Sequence, residues 1–260
     1  MNVEMAVIRA MNNVEKFTSN LDSYIFSDDL KNCPISILLS GGCDSIGVLH
    51  RLLTDLKKEN DKRKVNSFHI YHEQIGNRKM MLEKDRINSF LKYCKDNDLP
   101  HGIHYEVPLH HINLEVGQNG DYKPQPGLWW STIIPLIPDK SIICTGDIKH
   151  DDIWNWNILP RCADLFCSLS ALFGKKMYWL APFMNWDKHD IVKMLKDNNL
   201  YQYTWYCEAV TEQGDRCGVC ESCRMHDEIL WYLDRTAEIE RRNKLLEDDT
   251  ENAIIRTSDN

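Results

Sequence analysis

The chain has 260 residues, 43% hydrophobic and 27% charged, with 10% aromatics and a formal net charge of −8. That length and mix suit an ordinary globular protein with a sizeable core, the acidic balance argues against broad nonspecific nucleic-acid binding, and no apolar run approaches the roughly 18 residues of a membrane span. Nothing reads as a secretory leader, so the protein is expected in the cytoplasm, where scattered cysteines serve as small buried hydrophobes.

In chain order, Val3 to Phe26 reads as a helix, with Met5, Ile8, Met11, Val14 and Phe17 at helical spacing. Ile35 to Leu39 is the first strand, and Ser45 to Lys57 the helix after it. Strands then fall at Val65 to Tyr71, His104 to Val107, Ser141 to Thr145 and Met177 to Leu180. Further helices are predicted over Met80 to Asp96, Arg161 to Phe173, Asp187 to Asn198 and Arg224 to Leu246. Strands alternating with helices imply an α/β fold with a doubly wound, mostly parallel sheet and a nucleotide at the carboxyl ends of its strands. The expected division is a helical extension over residues 1–33, a nucleotide-binding domain over 34–204, a zinc segment with the C-terminal helix over 205–246, and a disordered acidic tail over 247–260.

Between the first strand and its helix stands Ser40-Gly41-Gly42-Cys43-Asp44-Ser45. Two adjacent glycines permit positive φ and close backbone approach, the helix N-terminus offers unpaired N–H groups, and Ser40 and Ser45 add hydroxyls, so the segment suits a phosphate. Asp44 would repel that anion unless it caps the helix or works through Mg²⁺. The Lys of a Walker loop is absent, and the string is not GxGxxG. Near the other end, Cys207, Cys217, Cys220 and Cys223 form C-x9-C-G-x-C-x2-C. Four thiolates suit a closed tetrahedral Zn²⁺ site of structural type, with an iron–sulfur cluster or disulfides as the alternatives. The histidines His101, His104, His110 and His111 have no carboxylate at ligand spacing and read as surface or strand-edge residues. Arg78, Lys79, Lys84 and Arg86 read as the solvated face of one helix.

The loop resembles the SGGxDS loop of the PP-loop ATP pyrophosphatases, whose fold is adenine nucleotide alpha hydrolase-like. Thr204-Trp205-Tyr206-Cys207 and Cys217-Gly218-Val219-Cys220-Glu221-Ser222-Cys223-Arg224 resemble the TW-x-C…CG-x-C-x-x-CR ending of the 7-cyano-7-deazaguanine synthase (QueC) family. Ala181-Pro182-Phe183 with Lys188 and Ile191 looks like that family's APL…K-x-x-I segment, and Pro160, Cys162 and Phe166 match its PDC…F segment. Gly146 and Asp152 occupy the loop where the family carries G…D. The resemblance covers about residues 34–232.

It implies an ATP-dependent carbon–nitrogen ligase, which adenylates the carboxylate of 7-carboxy-7-deazaguanine and transfers it to ammonia, first as an amide and then, after a second activation, as the nitrile of queuosine biosynthesis. It also implies that Ser40, Gly41, Gly42, Asp44 and Ser45 hold the pyrophosphate, that Lys188 neutralises phosphate charge, and that Asp152 contacts substrate or metal, with ATP, Mg²⁺ and Zn²⁺ as cofactors. The chain departs from the family at Tyr71-His72-Glu73-Gln74-Ile75-Gly76, around Pro126-Gly127-Leu128-Trp129-Trp130, at Ala163, and by an insertion holding Trp154 and Trp156. The activation half looks kept and the acceptor half altered, so transfer to an amine of a partner protein, as in an antiviral defence system, stands as the second expectation. A tRNA-modifying adenylase or a nucleotide-binding regulator without turnover is the third. Neither nucleic acid nor membrane is expected as a partner, and a homodimer is allowed.

Overall fold

The computed structural model describes residues 25–28, 30–72, 77–109, 125–149 and 158–258. Five strands, β1 (Ile35–Leu38), β2 (Val65–His72), β3 (His101–Leu109), β4 (Ile142–Cys144) and β5 (Tyr178–Leu180), form one parallel sheet in the order β3-β2-β1-β4-β5. β1 is central, and its Ile35 and Ile37 have no exposed surface. This is the near-continuous apolar pattern of a strand covered on both faces.

Helices cover those faces. α1 (Cys43–Lys58), α2 (Asn77–Asp96) and α5 (Lys188–Asp197) contribute Leu49, Phe90 and Ile191 to one core. α3 (Gln125–Ile133) and α4 (Ile158–Leu172) contribute Trp130, Ile133 and Phe166 to the other. Strand order reverses at β1, whose following connection leads to β2 on one side while β4 lies on the other. The carboxyl ends of β1 and β4 therefore flank the switch point, where an open α/β sheet leaves a crevice.

The predicted strands all appear, with ends shifted by a few residues. α3 was not among the predicted helices; Pro126 and Gly127 lie in its first turn, where proline's missing N–H costs no intrahelical bond. The helix expected over 3–26 lies outside the described residues apart from Ile25 and Phe26, which are in turns. α6 (Glu221–Ser258) includes most of the segment read as an acidic tail. The chain divides into two compact units, Met1–Tyr206 and Cys207–Asn260. Among the described residues, no helix is long and apolar enough to cross a membrane.

Candidate functional site

The phosphate loop is shaped by one left-handed residue. Gly41 has φ +79°, and a Cβ there would stand 3.1 Å from the Glu83 carbonyl oxygen. Gly42, the residue before α1, has φ −73° and ψ 163°, so its conformation is open to any residue and only Gly41 uses the freedom expected of the pair. Gly42 at the N-cap makes no side-chain cap bond, and a helix start of this kind turns its first-turn N–H groups toward an anion. The Ser45 hydroxyl lies 3.1 Å from Ser40 Oγ, accepts from the Ser40 N–H and donates to the Gly42 carbonyl, and the Trp205 N–H donates to the Gly41 carbonyl at 2.8 Å. These bonds fix the loop on both sides.

Asp44 stands in the first turn of α1, where a negative charge complements the helix dipole. Its Oδ2 accepts from Lys188 Nζ at 2.5 Å, with both side chains largely covered. Lys188 opens α5, and the pair balances a cation that would otherwise face the positive end of that helix. Asp44 and Lys188, 144 positions apart in sequence, thus meet at the loop. Cys43 is buried, and burial together with the charge of Asp44 pushes its thiol up to about 12, so it stays protonated.

A cavity of about 270 Å³ opens beside the loop, at the switch point. Ser40, Asp44, Ser45 and Asp147 give it a polar side, and Phe68, Ile70 and Trp129 an apolar wall. Gly146 crosses directly beneath the start of α1: an added Cβ would lie 2.9 Å from the Ser45 backbone nitrogen. Asp147 accepts a hydrogen bond from Thr145 Oγ1 at 2.5 Å, and Thr145 Oγ1 in turn accepts from Trp179 Nε1 at 2.8 Å. Burial pushes the Asp147 carboxyl up to about 6; the Thr145 bond works against the rise and the charge of Asp44 with it. The sequence reading missed Asp147. Its position two residues after a predicted strand end was the available signal, whereas the family resemblance pointed to Asp152. Asp152, His110, His111, Trp154 and Trp156 lie outside the described residues.

His101 and His104 lie on β3, an edge strand, and both bond the buried Ser67 hydroxyl, at 2.9 and 2.8 Å. They act as strand-edge hydrogen-bonding groups, in keeping with the sequence reading. The basic residues of α2 are engaged rather than free: Lys84 pairs with Glu106 at 2.7 Å, Lys79 lies 3.7 Å from Glu83, and Arg86 donates to the Gln202 carbonyl. Of the six cysteines outside the cluster, Cys167 is exposed, while Cys33, Cys43, Cys94, Cys144 and Cys162 are buried as expected.

In the second unit, the sulfurs of Cys207, Cys217, Cys220 and Cys223 all lie within 4.8 Å of one another. A tetrahedral zinc site with Zn–S bonds near 2.3 Å needs S···S separations of roughly 3.8 Å, so small side-chain adjustments fit this donor set to a single ion. A four-iron cluster places one thiolate on each iron and holds them further apart. The N–H groups of Val219 and Cys220 point at Cys217 Sγ, and that of Cys223 at Cys220 Sγ, at 3.3 to 3.4 Å. Backbone N–H bonds from Val219 and Cys220 lower the Cys217 thiol, and against its burial those from Glu208 and Cys223 lower Cys220, while burial raises Cys207 and Cys223. Thiolates are what a metal requires.

The family model for queuosine biosynthesis protein QueC matches residues 161–231, which take in most of α4, β5, α5 and the cysteine cluster but not the phosphate loop. No curated protein matches the chain. Among solved structures, the U34-tRNA thiolase NcsA from Methanococcus maripaludis with its 4Fe–4S cluster is similar at 15% identity and a TM-score of 0.47, over 90% of this chain and 74% of that one. NMN synthetase from Francisella tularensis is similar at 13% identity and a TM-score of 0.39, over 90% of this chain and 87% of that one.

Proposed function

We propose that this protein is an ATP-dependent adenylating enzyme of the QueC type, which activates the carboxylate of 7-carboxy-7-deazaguanine and transfers the acyl group to ammonia. The observation that carries the reading is the uncapped N-terminus of α1, set behind Gly41 at the switch point and opening into a cavity with both a polar and an apolar side. The family match over residues 161–231, a stretch that holds Lys188 and the four cysteines, supports the choice of substrate class.

In this scheme ATP arrives with Mg²⁺, and its phosphates meet the first-turn N–H groups of α1 and the hydroxyls of Ser40 and Ser45. Lys188, held at the loop by Asp44, adds the neutralising charge. Phe68, Ile70 and Trp129 give a planar ring an apolar surface. The substrate carboxylate attacks the α-phosphorus, the bond to the β-phosphate breaks, and pyrophosphate leaves with the electron pair. Preorganised donors matched to the developing charge are the catalytic contribution of such a nest. Ammonia then displaces AMP to give the amide, and a second round converts the amide to the nitrile.

Zn²⁺ is the ion proposed for Cys207, Cys217, Cys220 and Cys223; with four protein ligands it has no open position and serves folding. The protein incubated with ATP, Mg²⁺, the deazaguanine acid and ammonia should yield AMP, pyrophosphate and a product mass of the amide or nitrile. AMP release that does not depend on the acid would overturn the substrate assignment.

A further inference from the structure

We infer that Asp147 is the proton acceptor for the amine that attacks the acyl-adenylate. The inference rests on the adenylating reading above and assigns a step to a residue outside the phosphate loop.

The step needs such a group. When the amine nitrogen bonds the acyl carbon, it becomes positively charged, and it must lose a proton so that the C–O bond to AMP, rather than the new C–N bond, breaks. The proton passes to a carboxylate oxygen of Asp147, and AMP leaves with the electron pair of the broken bond. The reaction balances with no further reactant.

Among the described residues lining the cavity, Asp147 is the one fitted for this. The other carboxylate, Asp44, is tied to Lys188 at 2.5 Å. The hydroxyls of Ser40, Ser45 and Thr145 are too weakly basic at neutral pH, and Cys43 is not on the lining. Asp147 carries no ion pair among the described residues; its partner is the Thr145 hydroxyl. That hydroxyl has a single proton and already accepts from Trp179 Nε1, so it must donate to Asp147, which fixes the carboxylate's orientation from β5 through the residue that follows β4. Among the described residues, Asp44 of α1 and Cys162 of α4 are the titratable groups facing it. The Cys162 thiol is held up at about 11 by burial and by the charge of Asp147. Burial first, and then the charge of Asp44, give Asp147 a basicity above that of a solvated carboxylate while leaving it ionised at neutral pH.

The two half-reactions separate the roles. Acid-dependent exchange of labelled pyrophosphate into ATP reads adenylation without amine, and single-turnover aminolysis by ammonia, followed from pH 5 to 9, reads the second step. Asp147→Asn should keep the exchange and lose aminolysis by roughly 10²- to 10⁴-fold, the usual worth of a positioned base. Thr145→Val removes a hydrogen bond that favours the ionised carboxylate, so it should move the acidic limb of the aminolysis profile to higher pH and leave the exchange untouched. Equal loss of both half-reactions in Asp147→Asn, or loss of neither, would overturn the inference, as would an unmoved acidic limb in Thr145→Val if the Asn variant does not fold. A wild-type protein without acid-dependent exchange would instead bring down the adenylating reading, and this inference with it.

Discussion

Gly146→Ala tests whether the start of α1 is the anion site. The new Cβ would lie 2.9 Å from the Ser45 backbone nitrogen and 3.1 Å from the Asp44 carbonyl carbon, and neither atom can rotate away. Accommodating it requires β4's following loop and the first turn of α1 to part by about half an ångström, an overpacking that costs about 1–3 kcal/mol of stability. The same methyl presses on the Ser45 nitrogen, one of the first-turn N–H groups proposed to meet the phosphates. Losing one charge-assisted donor to a phosphate costs about 1.5–3 kcal/mol, or roughly 10- to 150-fold in ATP affinity. Calorimetric titration with ATP, together with thermal unfolding, measures both terms. Gly174→Ala is the matched control, since Gly174 has φ +63° with nothing within 4 Å of an added Cβ, and strain there should lower stability by about 1 kcal/mol without touching ATP binding. Gly42→Ala should be milder than Gly146→Ala, because its φ is ordinary and the nearest contact of its Cβ is the Ser40 hydroxyl at 3.3 Å. Unchanged ATP affinity in Gly146→Ala, with stability lowered, would refute the placement of the anion.

Lys188→Met should weaken ATP binding by roughly 10- to 100-fold and destabilise the fold by about 1–3 kcal/mol, since it leaves the largely covered Asp44 carboxylate without its cation; calorimetry and urea unfolding read the two effects. Cys220→Ser should abolish a stoichiometric zinc content, measured by elemental analysis, and lower soluble yield, because a structural zinc contributes on the order of 10 kcal/mol to folding. Iron in place of zinc in the wild-type protein would correct the metal. Burial, and then the charge of His104, depress the His101 imidazole to about 4. The unfolded chain therefore takes up the proton first as pH falls, and stability present above about pH 6.5 is lost between 6.5 and 4. After discounting for partial exposure, the loss is about 2 kcal/mol. Urea unfolding at pH 7.5 and 4.5 should show a smaller pH effect in His101→Gln than in the wild type, and equal effects would contradict the assignment.

What the sequence made legible was what depends on neighbours in the chain. Ser40 to Ser45 are contiguous, so a strand end, two glycines and a helix start announce an anion nest before any fold is known, although the close approach of Glu83 of α2 to Gly41 is a contact no local pattern carries. The cysteine spacing likewise holds its own geometry. α3 stayed hidden because its apolar face is short and its first turn holds Pro126 and Gly127, whose local preferences are overridden by the packing of Trp130 against Phe166 and Trp179. Asp147 was illegible for a different reason: its character comes from Trp179 on β5, from Thr145 just past β4 and from Asp44 on α1, and only the folded sheet brings those together. Lys188 was named by resemblance alone, and its tie to Asp44 is likewise a product of the fold.

The most direct test of the central claim is exchange of labelled pyrophosphate into ATP by the purified protein with Mg²⁺, with and without 7-carboxy-7-deazaguanine and in the absence of any amine. The account predicts exchange that requires the acid and that, at limiting ATP, falls by roughly 10- to 100-fold in Gly146→Ala and Lys188→Met. Exchange that proceeds equally without the acid, or none with it while ATP still binds, would contradict it.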